Sequence, residues 1–170
     1  ELGNDAGNTT NFGTLTFNSA GSVTISEDSS LDLVGINTAG SADIDSTGSV
    51  TDAVGGSVDI TGLLDVAGSS IALGSGSFNS GSLTFNSAGL VAISEDSSLD
   101  LVGVNTAGSA DIDSVAAVSD SAATSVTVTS LLDVSGTSIV LGSGATVFNA
   151  GTLTFNSAGS VTISEGSSLD

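Results

Sequence analysis

Apolar and polar residues alternate over many short stretches of this chain. In Leu15–Phe17 and Leu31–Leu33 one polar residue separates two apolar ones, and Ala42–Ile44 and Val58–Ile60 repeat the pattern. A period of two is typical of a half-buried β-strand, because successive side chains of a strand point to opposite faces. No stretch carries a sustained helical stripe, and Gly, Ser and Asn separate the alternating stretches. The pattern therefore predicts short strands joined by tight corners.

The alternating stretches belong to a long internal repeat. The heptapeptide LTFNSAG begins at Leu15, Leu83 and Leu153, so its three copies are almost evenly spaced. Longer matches surround it, among them SEDSSLDLVG and NTAGSADIDS. Self-similarity at a fixed period is the sequence sign of a repeat architecture. We predict a single unit over 1–170 with four parts: 1–14 as a partial coil, 15–82 and 83–152 as full repeats, and 153–170 as the start of a third.

Each repeat divides into three parts of similar pattern, which in the first repeat span 15–40, 41–62 and 63–82. Each part holds three short alternating segments, the size of one coil of a parallel β-helix. We expect an all-β fold: a right-handed parallel β-helix, or β-solenoid, with about three short strands per coil and three coils per 68–70-residue repeat. The alternative is an antiparallel sandwich, which the near-identical repeats and the lack of Asn-Gly turns disfavour.

The charge of the chain excludes several classes of partner. It has no Lys, Arg or His and 19 Asp plus Glu, so its formal net charge is -19. Nothing in it can neutralise a phosphate backbone, so we expect no nucleic-acid binding. No apolar run is long enough to span a bilayer, so we expect no membrane insertion. Hydrophobic residues make up 39% of the chain, which supports a packed core rather than disorder.

Acidic residues are the candidate site. Alignment of the three parts places them side by side on the outer faces of adjacent coils: Asp43 with Asp65, Asp32 with Asp59, and Asp111 with Asp133. Like charges that face each other in a sheet are destabilising, and bound Ca²⁺ would relieve that repulsion. The Ca²⁺ candidates are Asp43, Asp65, Asp111, Asp133, Glu27, Asp28, Glu95 and Asp96. A solvated acidic face without any cofactor is the favoured alternative.

Catalysis is not predicted. Paired carboxylates serve glycoside hydrolysis, but here they recur with the coil and form no unique constellation. The chain also lacks His, Lys, Arg, Cys and Tyr, the usual partners of a catalytic carboxylate. The recurring aromatic residues Phe17, Phe85 and Phe155 are expected in the core rather than on a sugar-binding surface.

The strings LTFNSAGSVTISEDSSLDLVG and SADIDSTGSVTDA resemble the tandem β-helical regions of very large bacterial secreted proteins, of the filamentous-haemagglutinin-like and autotransporter-associated adhesin type. The resemblance covers nearly the whole chain and implies an extracellular or cell-surface location. It implies a structural role in a fibre, stalk or filament. Because neither end of the predicted stack has a cap, we expect either a longer flanking chain that continues the array or self-association of identical molecules end to end. The alternative that it leaves open is an adhesin that binds surface glycans or other cells.

Overall fold

The structure is a computed structural model that describes residues 1–3, 10–144 and 147–166. Within these residues it forms 18 strands and no helix, and every strand pairing is parallel. The strands are β1 (Thr14–Leu15), β2 (Ser22–Glu27), β3 (Leu31–Leu33), β4 (Ile36–Ala39), β5 (Ser41–Ser46), β6 (Ser49–Asp52), β7 (Ser57–Ala67), β8 (Ser70–Leu73), β9 (Ser77–Asn86), β10 (Leu90–Glu95), β11 (Leu99–Leu101), β12 (Val104–Ala107), β13 (Ser109–Ser114), β14 (Ala117–Asp120), β15 (Ser125–Gly136), β16 (Ser138–Leu141), β17 (Val147–Ser157) and β18 (Val161–Ile163).

The strands wind into a β-solenoid of about 7 turns, which confirms the predicted parallel fold. Three faces make up the lower turns. Face one consists of β2, β5 and the second halves of β7 and β9. Face three consists of β4 and the first halves of β7 and β9. Face two begins with β1, β3, β6 and β8 and continues through β10 and β13 to the second halves of β15 and β17.

Face two shows the stacking over the full height of the solenoid. Seven successive pairings lead from Thr14 to Thr154, so one coil takes about 20 residues, which is at the short end for repeat proteins. The inward neighbours of these residues form a buried apolar column: Leu31, Val50, Ile71, Val91, Ala110 and Leu132. Burial of a Val, Leu or Ile side chain is worth about 1.5–3 kcal/mol, so this column is a main source of stability.

The coil and the long repeat have different lengths. Val23 pairs with Ala42, Ala42 pairs with Leu64, and Leu64 pairs with Leu83. Three full coils therefore separate Val23 from Leu83. The copy of Val23 in the second repeat is Val91, which lies further along the chain. The repeat therefore holds three coils and about one further strand. For this reason equivalent strands lie on neighbouring faces: β2 is on face one, and its copy β10 is on face two.

This mismatch produces a junction in the middle of the solenoid. The second half of β9 carries two strands above it, because Leu83 pairs with Leu101 of β11 and Asn86 pairs with Thr106 of β12. Gly103 turns the corner between those strands at φ +67°, a conformation that favours glycine. The first half of β9 has no strand above it among the described residues, and the corner after β10 covers it instead, with the Asp96 N–H donating to the Phe78 carbonyl.

The three recurring phenylalanines differ in burial. Phe85 is 0% exposed, and Phe17 is partly buried against the core. Phe155 is 52% exposed, so the prediction that it lies in the core was wrong. Val134 pairs below Phe155, but within the described residues no strand pairs above it.

Candidate functional site

The first acidic pair lies on face one. Asp43 of β5 pairs with Asp65 of β7, as predicted, and both side chains point outward beside Asp45. Partial burial raises the pKa of Asp43 above its ordinary value near 3.8, and the Asp45 carboxylate adds to the effect. The pKa of Asp65 is raised by burial and then by the charges of Asp43 and Asp45. The three carboxylates therefore repel each other.

The second acidic pair is a copy of the first on a different face. Asp111 of β13 pairs with Asp133 of β15 on face two, which confirms the predicted pairing. Burial raises the pKa of Asp111, and the Asp113 and Asp133 carboxylates raise it further. The hydroxyl of Ser135 donates a hydrogen bond to Asp113. The two acidic pairs cannot form one continuous stripe, because the long repeat turns its copies to the neighbouring face.

The third predicted pair, Asp32 with Asp59, was wrong. Asp32 pairs with Thr51, whose Oγ1 donates to Asp32 Oδ1 at 2.9 Å. Asp59 lies on face three. The reason is the length of the first coil: the path from Asp32 to its true partner Thr51 is several residues shorter than the part 15–40 from which the pairing was predicted.

A shallow groove runs beside the first acidic pair. It has a volume of about 580 Å³ and contains all three carboxylates of that cluster together with Leu63 and Val104. Val104 is 63% exposed at the corner that follows Gly103. A second, smaller groove of about 210 Å³ lies between Gly74 and the Asp111 cluster. Both grooves combine negative charge with apolar surface.

Metal binding remains a prediction. Over residues 1–3, 10–144 and 147–166, no group of three or more His, Cys, Asp or Glu side chains is arranged to hold a metal ion. The residues that would provide oxygen ligands for Ca²⁺ on the outer faces are the pairs Asp43–Asp65 and Asp111–Asp133. Ca²⁺ normally takes six to eight oxygen ligands, so each pair would depend on backbone carbonyls and water for the rest.

The other metal candidates, at the SED corners, hold the backbone together. Glu95 is 1% exposed and points into the solenoid. Its carboxylate accepts hydrogen bonds from the Ser80 N–H at 3.2 Å, the Ser80 hydroxyl at 3.1 Å and the Ser97 hydroxyl at 2.8 Å. Its neighbour Asp96 accepts from the Phe78 N–H at 3.2 Å. These carboxylates thus satisfy donors on the part of β9 that the corner after β10 covers.

The same arrangement recurs at the two equivalent corners. Glu27 accepts from the Phe12 N–H at 3.3 Å, and Asp28 accepts from the Thr10 N–H at 2.8 Å. Glu165 accepts from the Ala150 N–H at 3.1 Å. Burial raises the pKa of Glu95, against the hydrogen bonds from Ser97 and Ser80 that lower it. Each SED or SEG corner thus uses one glutamate as an acceptor for the coil below.

Sequence reasoning missed this structural role, although a signal was present. In SVTISE the inward positions are Val23, Ile25 and then Glu27, so the alternation itself places the glutamate inside. The same alternation places Asp52, the second residue after Val50, on the inner side of β6. Asp52 accepts from the Gly74, Ser75 and Gly76 N–H groups at 2.9–3.0 Å and holds that loop.

Two buried asparagines also belong to the polar residues inside the solenoid. Asn37 and Asn105 are both 0% exposed. Asn105 Oδ1 accepts from the Phe85 N–H at 3.0 Å, and its Nδ2 donates to the Val102 carbonyl at 2.9 Å. Asn37 makes the equivalent contacts with the Phe17 N–H and the Val34 carbonyl. Each asparagine lies where one LTFN segment is covered by two consecutive strands, β3 and β4 in the lower copy and β11 and β12 in the upper copy.

The chain matches no protein-family model, no curated protein and no solved structure. None of the described residues belongs to a helix with the length and apolarity needed to cross a membrane. Inside the solenoid, carboxylates and amides such as Glu95, Asp52 and Asn105 accept hydrogen bonds from backbone N–H groups.

Proposed function

We propose that the chain is a rigid structural segment of an extracellular or cell-surface fibre, stalk or filament. The observation that carries this proposal is the unbroken pairing of face two over seven steps, with a buried apolar column behind it. Such a stack is stiff along its axis, because every coil is hydrogen-bonded to the next. In this proposal the chain has no catalytic centre.

The use of polar residues supports the same proposal. The inward carboxylates and amides Glu95, Asp52, Asn37 and Asn105 all accept hydrogen bonds from the backbone. The outward carboxylates make the surface negatively charged, and this charge repels neighbouring fibres. The resemblance to the repeat regions of filamentous-haemagglutinin-like and autotransporter-associated adhesins supports the surface location and a bacterial source.

Two measurements test the proposal. Seven coils at about 4.8 Å each give a stack roughly 34 Å long, and small-angle X-ray scattering of the chain should show a folded particle of that length. Immunogold labelling of cells that produce the protein should place it on surface projections. A flexible-chain scattering profile, or labelling confined to the cell interior, would contradict the proposal.

A second candidate function is a binding module, which the groove beside Asp43 and Asp65 favours. Carboxylates that accept hydrogen bonds from hydroxyl groups, next to exposed Leu63 and Val104, suit a surface glycan. A glycan array with the unaltered chain and with Asp65→Asn tests this candidate. Saturable binding that the substitution abolishes would support it, provided that Asp133→Asn, the equivalent change on face two, leaves binding intact.

A further inference from the structure

One boundary between coils in the middle of the solenoid differs from its neighbours. One coil lower, β7 and β9 pair in two continuous runs that cover Ser77–Ser80 and Ser82–Asn86. One coil higher, β10 pairs with β13 along its whole length. Between them, among the described residues, β9 pairs with β11 at Leu101 alone and with β12 at Thr106 alone. We call this boundary, between the coil of β8 and β9 and the coil of β10, β11 and β12, the seam.

Side chains do much of the work of a strand at the seam. Three N–H groups on the upper edge of β9 donate to side chains of the coil above, over 3.0–3.2 Å: Phe78 to Asp96, Ser80 to Glu95, and Phe85 to Asn105. We call Glu95, Asp96 and Asn105 the latch residues. Backbone-to-backbone hydrogen bonds cross faces one and three at separate points, such as the one from the Val102 N–H to the Leu83 carbonyl. The cover of β9 on these two faces therefore depends on three side chains.

Face two crosses the same boundary without interruption. β8 and β10 pair in register there, with Ile71 beside Val91 and Leu73 beside Ile93. All four side chains are buried, and they belong to the apolar column behind face two. The seam is therefore strand-paired along one face and held largely by side chains on the other two.

A boundary held by side chains opens more easily than a strand-paired one. A latch residue can release its N–H partner by a rotamer change, without movement of its own backbone. Glu95 is 1% exposed, and burial of its carboxylate is costly, which is why burial raises the pKa of this group. Opening returns the carboxylate to water and so offsets part of the lost hydrogen bonding. Phe78 and Phe85 favour the closed seam, because both are 0% exposed and opening would hydrate them.

We propose that the seam is a hinge: the coils below it and the coils above it behave as two stiff blocks joined along face two, and the latch residues set how often the opposite side opens. The hinge adds to the proposed structural role, on which it rests, a defined point at which a fibre bends. Sideways force opens the seam while the coils on either side stay paired. Such local opening costs less than global unfolding.

The latch is part of the long repeat. Its copies in the first repeat are Glu27, Asp28 and Asn37, which also accept from backbone N–H groups of the coil below. A solenoid assembled from such repeats has one seam in every 68–70 residues. At three coils and about one further strand per repeat, the points of bending are spaced by roughly 16 Å along the axis.

Native-state hydrogen exchange tests the hinge on the unaltered chain. Each seam amide is compared with the amide at the same position one coil lower, within the continuous pairing of β7 and β9: Phe78 with Val58, Ser80 with Ile60, and Phe85 with Val66. After correction for intrinsic exchange rates, we expect the seam amides to exchange about tenfold faster than their matched partners, because opening of the hinge exposes the seam amides alone.

Engineered disulfides test which side opens, since the chain has no cysteine of its own. Asn86 and Thr106 face each other across the latched side, and Ala72 and Ala92 face each other on face two. Facing positions of paired strands meet the distance that a disulfide needs. Asn86→Cys with Thr106→Cys should slow exchange of the seam amides about tenfold, and reduction should restore it. Ala72→Cys with Ala92→Cys should leave it unchanged, because face two stays paired during opening.

A single latch substitution tests whether the side opens as a unit. Asn105→Ala removes the acceptor of the Phe85 N–H. If the latch residues hold one hinge, exchange should rise about tenfold at Phe78 and Ser80 as well, although their own acceptors are intact. Asn37→Ala, the same change in the lower copy, should leave all three amides unchanged.

Three results would overturn the hinge: seam amides that exchange no faster than their matched partners, equal slowing by the two disulfides, or an Asn105→Ala effect confined to Phe85. Each would describe a solenoid that is equally stiff at every boundary. The proposed structural role is tested separately, by the length of the folded particle in scattering and by surface labelling. Those results would sustain the role if the hinge fails, and their failure would contradict the role whatever the exchange rates are.

Discussion

A buried aspartate occupies the same position in both long repeats, but its hydrogen bonds to the facing loop differ between them. In the first repeat, Asp52 accepts three backbone N–H groups from Gly74, Ser75 and Gly76. In the second, the equivalent Asp120 accepts from the Gly142 N–H at 2.8 Å, and its Oδ1 has no hydrogen-bond partner among the described residues. Both side chains are buried. Similar sequence therefore does not ensure similar satisfaction of a buried charge.

The loops that face the two aspartates differ in length. The first loop reads LGSGSFNSG and the second LGSGATVFNAG, two residues longer. A carboxylate that binds successive N–H groups depends on how the loop presents them, so we expect loop length to affect its hydrogen bonds. Burial raises the pKa of Asp120, backbone hydrogen bonds from Gly142, Asp120 itself and Ser143 lower it, and the Asp100 charge raises it a little more. We infer that loop length limits how well Asp120 is held, which the deletion described below tests.

Truncation of the two aspartates should give the largest difference between the repeats. Asp52→Ala leaves three part-buried N–H groups without their acceptor, and we expect it to lower the free energy of unfolding by about 3 kcal/mol. Asp120→Ala removes the 2.8 Å hydrogen bond from the Gly142 N–H, and should cost about 1 kcal/mol or less. Urea unfolding followed by circular dichroism measures both. Equal losses would show that the two turns are energetically equivalent.

The buried asparagines provide the matched case, in which the repeats should not differ. Asn37→Ala and Asn105→Ala each leave the N–H of a phenylalanine without its acceptor. We expect each substitution to cost about 2 kcal/mol. The same unfolding experiment should give values within about 0.5 kcal/mol of each other. A clearly smaller loss at Asn37 would mean that the lower end of the solenoid frays before it unfolds.

Shortening the longer loop should bring the second repeat closer to the first. Deletion of Ala145 and Thr146, which lie outside the described residues, gives the second loop the length of the first. If loop length limits the contacts of Asp120, the deletion should stabilise the chain by about 1 kcal/mol and should lower the pKa of Asp120. Thermal melting and an NMR titration of the carboxyl carbons report the two effects. A destabilised variant would show that loop length is not the cause.

The pH dependence of stability should be unusual but small. Burial raises the pKa of five carboxyls in the folded chain: Asp43, Asp65, Glu95, Asp111 and Asp120. A carboxyl whose pKa is higher in the folded chain binds its proton more tightly there. Stability therefore falls as pH rises from the ordinary values, near 3.8 for Asp and 4.5 for Glu, through the raised ones.

The expected consequence is a melting temperature about 5 °C higher at pH 4 than at pH 7. Asp120→Asn should reduce this difference, because it removes one of the five titrations. A melting temperature that decreases steadily on acidification would contradict the assignment and would indicate that ionised carboxylates stabilise the fold.

Much of the fold was predictable from local pattern. Alternation around Leu31 and Val58, together with the recurring corners of Gly and Ser, indicated parallel strands in a solenoid. The pairing of Asp43 with Asp65 also followed, because both stand between apolar residues at the same point of neighbouring coils. The pairing of Asp32 with Asp59 could not be predicted correctly, because corner lengths vary and one misjudged corner moves a strand to another face.

The roles of the acidic residues were harder to predict. Glu27 and Glu95 looked like metal ligands on an outer corner, but they accept hydrogen bonds from the coil below. The alternation of inward and outward side chains marks both glutamates as inward. A buried glutamate is nevertheless unexpected unless hydrogen-bond donors are known to lie beside it. Those donors lie on a different coil, far from the glutamates along the chain, so only the stacked coils reveal them.

By itself, the sequence determined that the chain forms strands, that these strands recur, and that apolar side chains occupy one side of each, because period and propensity are local properties. Only the tertiary structure decided which strand lies above which. That choice depends on the length of every corner summed around a coil, and it sets the drift of one face per long repeat. The same summation places β2 on face one and its copy β10 on face two, although their sequences are nearly the same.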